Sequence, residues 1–224
     1  MADFSVRATT GGGDEVPVLE TEVCGAAGFG ERRDAAESRR KVLDAAAALF
    51  SERGVEAVSM YEIGREAGVG QGTLYRRYEH KGALCMALLH ESIVRFAGEV
   101  RGRLENVEEP APERLEYLIL RLARFNEENA SLLGAVRDAG GGRRFGMCRN
   151  PFYRWLRATI VVLLEKGVER EEILALDVEY AADAILAPLN IELYLFQRRE
   201  LGMEPERITT SLRDLLLHGL CGKS

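Results

Sequence analysis

The sequence has little of what most chemistry needs. It has three histidines, His80, His90 and His218, and none stands at a metal-ligand spacing from another. Its four cysteines, Cys24, Cys85, Cys148 and Cys221, are far apart in the chain. That excludes a short-spaced metal knuckle, a redox pair and a disulfide framework, and a reducing cytoplasm is the compartment expected. There is no HExxH, no nucleophile elbow and no complete phosphate loop. The terminal Gly222-Lys223-Ser224 lacks the glycine that such a loop needs five residues earlier. Neither an enzyme nor a cofactor is expected. No apolar run approaches the roughly 20 residues of a membrane span. The nearest, 184–196, contains Pro188 and Glu192. The acidic, glycine-rich N-terminus lacks the basic-then-apolar order of a signal peptide.

Strand-forming runs are also scarce. Aromatic residues make up 7% of the 224, and alanine, leucine, glutamate and arginine dominate, which points to an all-α protein. Hydrophobic residues at 46% are enough for a sizeable core. The net charge is −6, which does not suit a uniformly basic nucleic-acid binder. The distribution is uneven. Residues 1–30 carry one positive and five negative side chains, and residues 31–82 carry ten and nine. Screening confines electrostatic attraction to about 8–10 Å, so a locally basic face on an acidic protein still attracts phosphate.

Periodicity divides the chain into three parts. Residues 1–33 read as a flexible arm, because repeated glycines break any pattern. Arg32 and Arg33 at its end are candidates for a minor groove. Residues 34–82 hold three helices. The first runs to Arg53 and is stopped by Gly54. A short second starts at Ser59, with Glu62 completing a capping box. A third covers about Gln71 to Tyr78. Residues 83–224 read as further helices: 81–104, 113–129, 131–138, 151–166, 177–199 with a kink at Pro188, and 205–219. A loop after Gly140 carries Arg143, Arg144 and Arg149.

The block from Ser59 to Lys81 carries the chemistry. Two short amphipathic helices joined by a tight glycine-containing turn are the plan of a helix-turn-helix, whose second helix lies in the major groove. With Leu74 turned into the core, the opposite face offers Gln71, Gly72, Tyr75 and Arg76. Glutamine pairs bidentately with adenine and arginine with guanine. Thr73, Arg77, Tyr78 and Lys81 near the helix ends suit phosphate oxygens, as do Ser59 and the free N–H groups of the second helix. Three helices of a bundle with a solvated surface would give the same pattern.

The pieces AAAALFSERGVEAVSM, EIGREAGVGQGTLY and RRYEHKGAL, in that order across about Lys41 to Leu89, resemble the DNA-binding domain of the TetR family of bacterial regulators. Gly64 stands where that family usually has alanine, and Gly70 where serine is common. The resemblance puts Tyr75 and Lys81 on the DNA backbone or groove edge. It puts Gln71, Gly72 and Tyr61 near bases, with Arg76 a further candidate. It also implies a C-terminal domain that binds a small molecule and dimerises through its last two long helices, 177–199 and 205–219. The partners expected are double-stranded operator DNA, a small-molecule effector and a second copy of the chain.

In that C-terminal part, Tyr117, Arg121, Phe125, Phe152, Trp155, Asn190 and Tyr194 lie on the helices that usually surround the family's pocket. Each could equally be core or surface. The stripe of Ile208, Leu212, Leu215 and Leu216, with Ala187, fits a dimer interface; packing within one chain would give the same stripe. Two alternatives stay open at this point. One is a redox-sensing regulator, with Cys148 activated by Arg144 and Arg149. The other is a ligand-binding homologue without DNA binding.

Overall fold

The computed structural model describes residues 3–7, 17–22, 29–139 and 150–220. Cys24, Cys148, Cys221, the loop arginines and the terminal Gly-Lys-Ser lie outside them. The all-α class holds. The helices are α1 (Phe29–Arg53), α2 (Met60–Glu66), α3 (Gln71–Arg77), α4 (Lys81–Leu104), α5 (Ala111–Glu128), α6 (Ala130–Ala139), α7 (Pro151–Glu169), α8 (Val178–Leu186), α9 (Ile191–Arg199) and α10 (Pro205–Leu220). The β-structure among the described residues is one two-stranded ladder, β1 (Asp3–Arg7) with β2 (Val18–Glu22).

That ladder departs from the flexible arm expected over 1–33, as does the start of α1 at Phe29, which places Arg32 and Arg33 within its first turns. Part of the reason is tertiary. Pro17 is buried, and its carbonyl accepts a 2.7 Å hydrogen bond from the Trp155 indole N–H. No local pattern could announce a partner 138 residues away.

The chain divides into two compact units. The first takes residues 29–92 and 131–139, with residues 3 and 21–22. It therefore extends beyond the expected boundary at 82 and recovers α6 from further along the chain. Its core is built by four-residue steps on α1 (Val42, Ala46, Phe50), with Ile63 of α2, Leu74 of α3 and Leu84 of α4. Leu132, Ala135 and Val136 of α6 pack against that core. The approach of α4 to α6 is close: a Cβ at Gly82 would come within 2.3 Å of the Ala139 methyl. Gly54 ends α1 at φ +80, a conformation that costs glycine nothing.

The second unit takes residues 93–130 and 150–220, with 4–7 and 17–20. Here α5 packs on α7 and α10, and α7 on α8. Local chemistry sets the helix starts. Pro151 opens α7, with Asn150 accepting from the Phe152 N–H at 2.8 Å. Asp177 caps α8 by accepting from the Tyr180 N–H at 3.1 Å. The single kinked helix expected over 177–199 is instead two. Pro188 brings a 3-10 turn over Ala187–Leu189, and Asn190 turns extended at ψ 133. With no N–H and a ring that crowds the preceding turn, proline breaks the ladder outright. Asn190 then starts α9, its Oδ1 accepting from the Glu192 N–H at 3.0 Å.

The arm contact is testable. Trp155→Phe keeps the ring and deletes the donor, leaving the buried Pro17 carbonyl unsatisfied. It should lower unfolding free energy by about 1–3 kcal/mol and speed amide exchange at residues 18–20. Unchanged exchange there would show that the ladder does not depend on the indole.

Candidate nucleic-acid interface

In the first unit, the α2–α3 hairpin begins with the expected capping box. The Glu62 N–H donates to Ser59 Oγ at 3.2 Å, and the Ser59 N–H donates to the Glu62 carboxylate at 2.8 Å. The Ser59 hydroxyl donates to the same carboxylate at 2.7 Å, and Arg53 pairs with its other oxygen at 2.9 Å. The Ser59 bonds, with Arg53 behind them, hold Glu62 down to a pKa of about 2. An ionised carboxylate and a closed hydroxyl thus occupy the start of α2. The Ser59 hydroxyl and the Glu62 N–H are therefore both engaged within the capping box.

The turn between α2 and α3 is set by Gly68 at φ +63 and by a 2.9 Å bond from the Val69 N–H to the Gly64 carbonyl. Gly70 precedes α3 without a side-chain cap. Leu74 is the one buried residue of α3, at 1% exposure, which leaves the rest of its surface open. Gly72, Thr73, Tyr75 and Arg76 are exposed. Tyr61 of α2 and Tyr75 of α3 are large aromatic groups at 62% and 50% exposure. Nothing in the fold requires Gly72 to lack a side chain, since a Cβ there would meet nothing within 4 Å.

Four expected contacts fall elsewhere. The Lys81 ammonium donates to the carbonyls of Val55, Val58 and Glu56 at 2.7, 3.0 and 3.2 Å and so ties down the α1–α2 loop. Arg77 donates to the Ala35 carbonyl of α1 at 2.6 Å. Tyr78 is core at 6% exposure, and burial pushes its phenol pKa up. The Gln71 amide donates to the Tyr61 carbonyl at 3.1 Å and so bridges α3 to α2. For Lys81, Arg77 and Gln71 a backbone carbonyl of the protein takes the polar group, whereas Tyr78 is held by packing in the core. Arg65, exposed in the last turn of α2, is a basic group that the sequence reading passed over.

In the second unit, three expected effector residues come together. Phe125, Phe152 and Trp155 surround Phe96, with ring centroids 5.1, 5.5 and 6.0 Å from its own. Phe96 was not singled out from sequence, although it continues the apolar steps of α4 through Ile93 and Val100. Arg121 lies 5.2 Å over the Phe96 ring, and its Nε donates to Glu99 at 2.8 Å. Tyr117 stacks with Arg103 instead, at 5.7 Å. Tyr194 is buried and donates its hydroxyl to Glu127 at 2.9 Å, a carboxylate that also holds Arg198. Asn190 is a helix cap, as described above. Of the proposed dimer stripe, Ile208 and Leu212 belong to the protomer's own core at 6% exposure each. Leu215 is exposed at 72%, Ala187 is exposed and Leu216 is half-buried. Leu193 and Phe196, three residues apart on α9, are further exposed apolar groups, at 41% and 42%.

Cys85 is fully buried, and burial pushes its thiol up to about 11, so it is a poor nucleophile. Cys148 lies outside the described residues.

Residues 42–88 match the family model described as bacterial regulatory proteins, tetR family. An HTH-type transcriptional regulator of Staphylococcus aureus (strain bovine RF122 / ET3-1) is 27% identical over 181 residues, 79% of this chain and 91% of the relative. Among solved structures, the TetR family transcriptional regulator PfmR from Thermus thermophilus superposes with a TM-score of 0.58 at 23% identity, covering 80% of this chain and 97% of its own. A SmeT–triclosan complex superposes at 0.58 with 18% identity, covering 84% and 93%.

Two outcomes follow. Lys81→Met leaves three carbonyls of the α1–α2 loop without their cation. It should destabilise the protein by roughly 1.5–3 kcal/mol in urea unfolding, whereas Arg76→Ala should cost under about 0.5 kcal/mol. Equal costs would mean that the ammonium is not structural. The folded pKa of Glu62 lies below its ordinary 4.5, so its contribution is complete above about pH 4.5 and fades as pH falls towards about 2. Glu62→Gln should flatten the stability profile across that window. An unaltered profile would remove the carboxylate from the account.

Proposed function

Since the chain is a TetR-family transcriptional regulator, we propose that it acts as a ligand-responsive repressor: a homodimer that binds a palindromic operator and is released by a small molecule. The observation that carries the DNA half is α3. One buried leucine anchors it, and Gly72, Thr73, Tyr75 and Arg76 are left exposed, with Tyr61 beside them on α2. Arg76 suits the O6 and N7 of guanine, and Gly72 permits close backbone approach. Tyr75, Thr73 and Tyr61 suit phosphate and groove-edge contacts. Residues 34–82 supply the reading head, with α6 and the first half of α4 completing its unit.

The effector half rests on the cluster of Phe96, Phe125, Phe152 and Trp155, with Arg121 as its polar group. Ligand sites are mostly apolar, with a few placed polar groups. The SmeT–triclosan complex is a protein of similar fold solved with a bound small molecule. Pairing of protomers is assigned to the exposed apolar groups of α8 to α10, Ala187, Leu193, Phe196 and Leu215, and not to Ile208 and Leu212. Two copies would hold their α3 helices about 34 Å apart, one turn of DNA. An effector that prefers another spacing weakens DNA binding, and by reciprocity DNA weakens effector binding by the same factor.

The test is fluorescence anisotropy against DNA from around the protein's own gene, over a salt series. Tyr75→Ala and Arg76→Ala should each cut affinity tenfold or more, about 1.4 kcal/mol, with melting unchanged. Binding that is weak on every fragment and indifferent to both variants would favour the homologue without DNA function. Phe196→Glu should halve the mass seen by light scattering while the protein stays folded. A mass unaltered by that change would overturn the interface. Trp155 is the chain's one tryptophan. Its emission is therefore a direct readout of candidate effectors reaching the aromatic cluster.

A further inference from the structure

Gln71 opens α3, where a glutamine would be expected to meet a base edge, yet its carboxamide turns back across the hairpin. The Nε2 donates to the Tyr61 carbonyl at 3.1 Å. It can do so because of Gly64. A Cβ on Gly64 would come within 2.4 Å of the Gln71 Nε2 and 3.3 Å of its Cδ. Both distances are shorter than packed atoms ordinarily allow, and the nearest atom is the free end of a flexible side chain, which yields before the backbone does. The same Gly64 gives its carbonyl to the Val69 N–H that shapes the turn, so its backbone is fixed while its side-chain space is lent to Gln71. Gly64 is itself buried within α2, a place where glycine costs helix stability relative to alanine. Here the missing methyl has a specific tenant.

We propose that Gly64 is a specificity-determining position, acting at one remove: by accommodating the folded-back carboxamide of Gln71, it withholds that side chain from the bases and leaves sequence reading to Arg76, Gly72 and their exposed neighbours. Gln71 is then a positioning residue that joins α2 to α3 beside Tyr61. A methyl at position 64 displaces the carboxamide. The freed group, at the first residue of the helix that enters the groove, is then able to pair bidentately with adenine N6 and N7. The inference rests on the reading of α3 as the DNA-reading helix.

The experiment is selection from a randomised operator library, followed by affinity measurement on the selected sites, with the full-length wild type, Gly64→Ala, Gln71→Ala and the double variant. Alanine is the better helix residue, but its methyl would also come within 3.2 Å of the Val69 carbonyl in the turn, so the melting of Gly64→Ala is measured alongside and an unchanged midpoint is expected. Gly64→Ala should acquire a preference for adenine at one position of each half-site, roughly five- to a hundredfold over the other bases. Gln71→Ala should select the wild-type site, and the double variant should return to it. Three results overturn the inference: Gly64→Ala selecting the wild-type site, Gln71→Ala losing a base preference that the wild type has, or the double variant keeping the new preference. A wild type that selects no sequence at all sinks the regulator reading and this inference with it. A wild type that selects an operator alongside an indifferent Gly64→Ala sinks the inference alone.

Discussion

Three carbonyl oxygens of the α1–α2 loop converge on the Lys81 ammonium, and the geometry of the first unit depends on that convergence. The loop has no regular structure to satisfy its backbone acceptors, so an unmet carbonyl there would carry a desolvation cost. A cation from the first residue of α4 meets three of them at once. This ties the loop that delivers Ser59 to the helix that follows α3, and so fixes the two ends of the hairpin against each other. Within that frame a single leucine suffices to seat α3. A helix seated by one buried side chain and by its ends leaves nearly its whole surface exposed.

The second unit is organised around aromatic packing. Four rings from α4, α5 and α7 meet within about van der Waals contact, and Arg121 caps the group while carboxylates neutralise it. The tryptophan of that cluster also holds the N-terminal segment through Pro17. Elsewhere in the unit, polar groups are absorbed by helix ends and ion pairs. Asp177 and Asn190 cap, and Glu127 serves Tyr194 and Arg198 together.

Much of this was legible in the residues themselves. The capping box at Ser59, the stop at Gly54, the proline start at Pro151 and the cap at Asp177 are local devices whose partners lie within a few residues. Each appears where the pattern places it. The exposed face of α3 was also legible, because one buried leucine in a seven-residue helix determines which side remains. What was misread shares a feature. Lys81, Arg77, Gln71 and Asn190 are polar groups that the sequence reading assigns to a ligand and that each have a partner in the protein, while Tyr78 is buried in the core. Ile208 and Leu212 are the apolar counterpart, a stripe that turned inward rather than towards a second copy.

The sequence by itself therefore determined the helical class, most helix ends, the helix-turn-helix and the exposed face of α3, because these depend on periodicity and on contacts a few residues apart. Only the tertiary structure decided which polar side chains remain available. That depends on partners 10 to 42 residues distant for Gln71, Lys81 and Arg77, and 138 for Trp155. A hydrogen bond is short-ranged in space and indifferent to separation along the chain. The competition between protein and ligand for each donor is settled only once the chain has closed on itself.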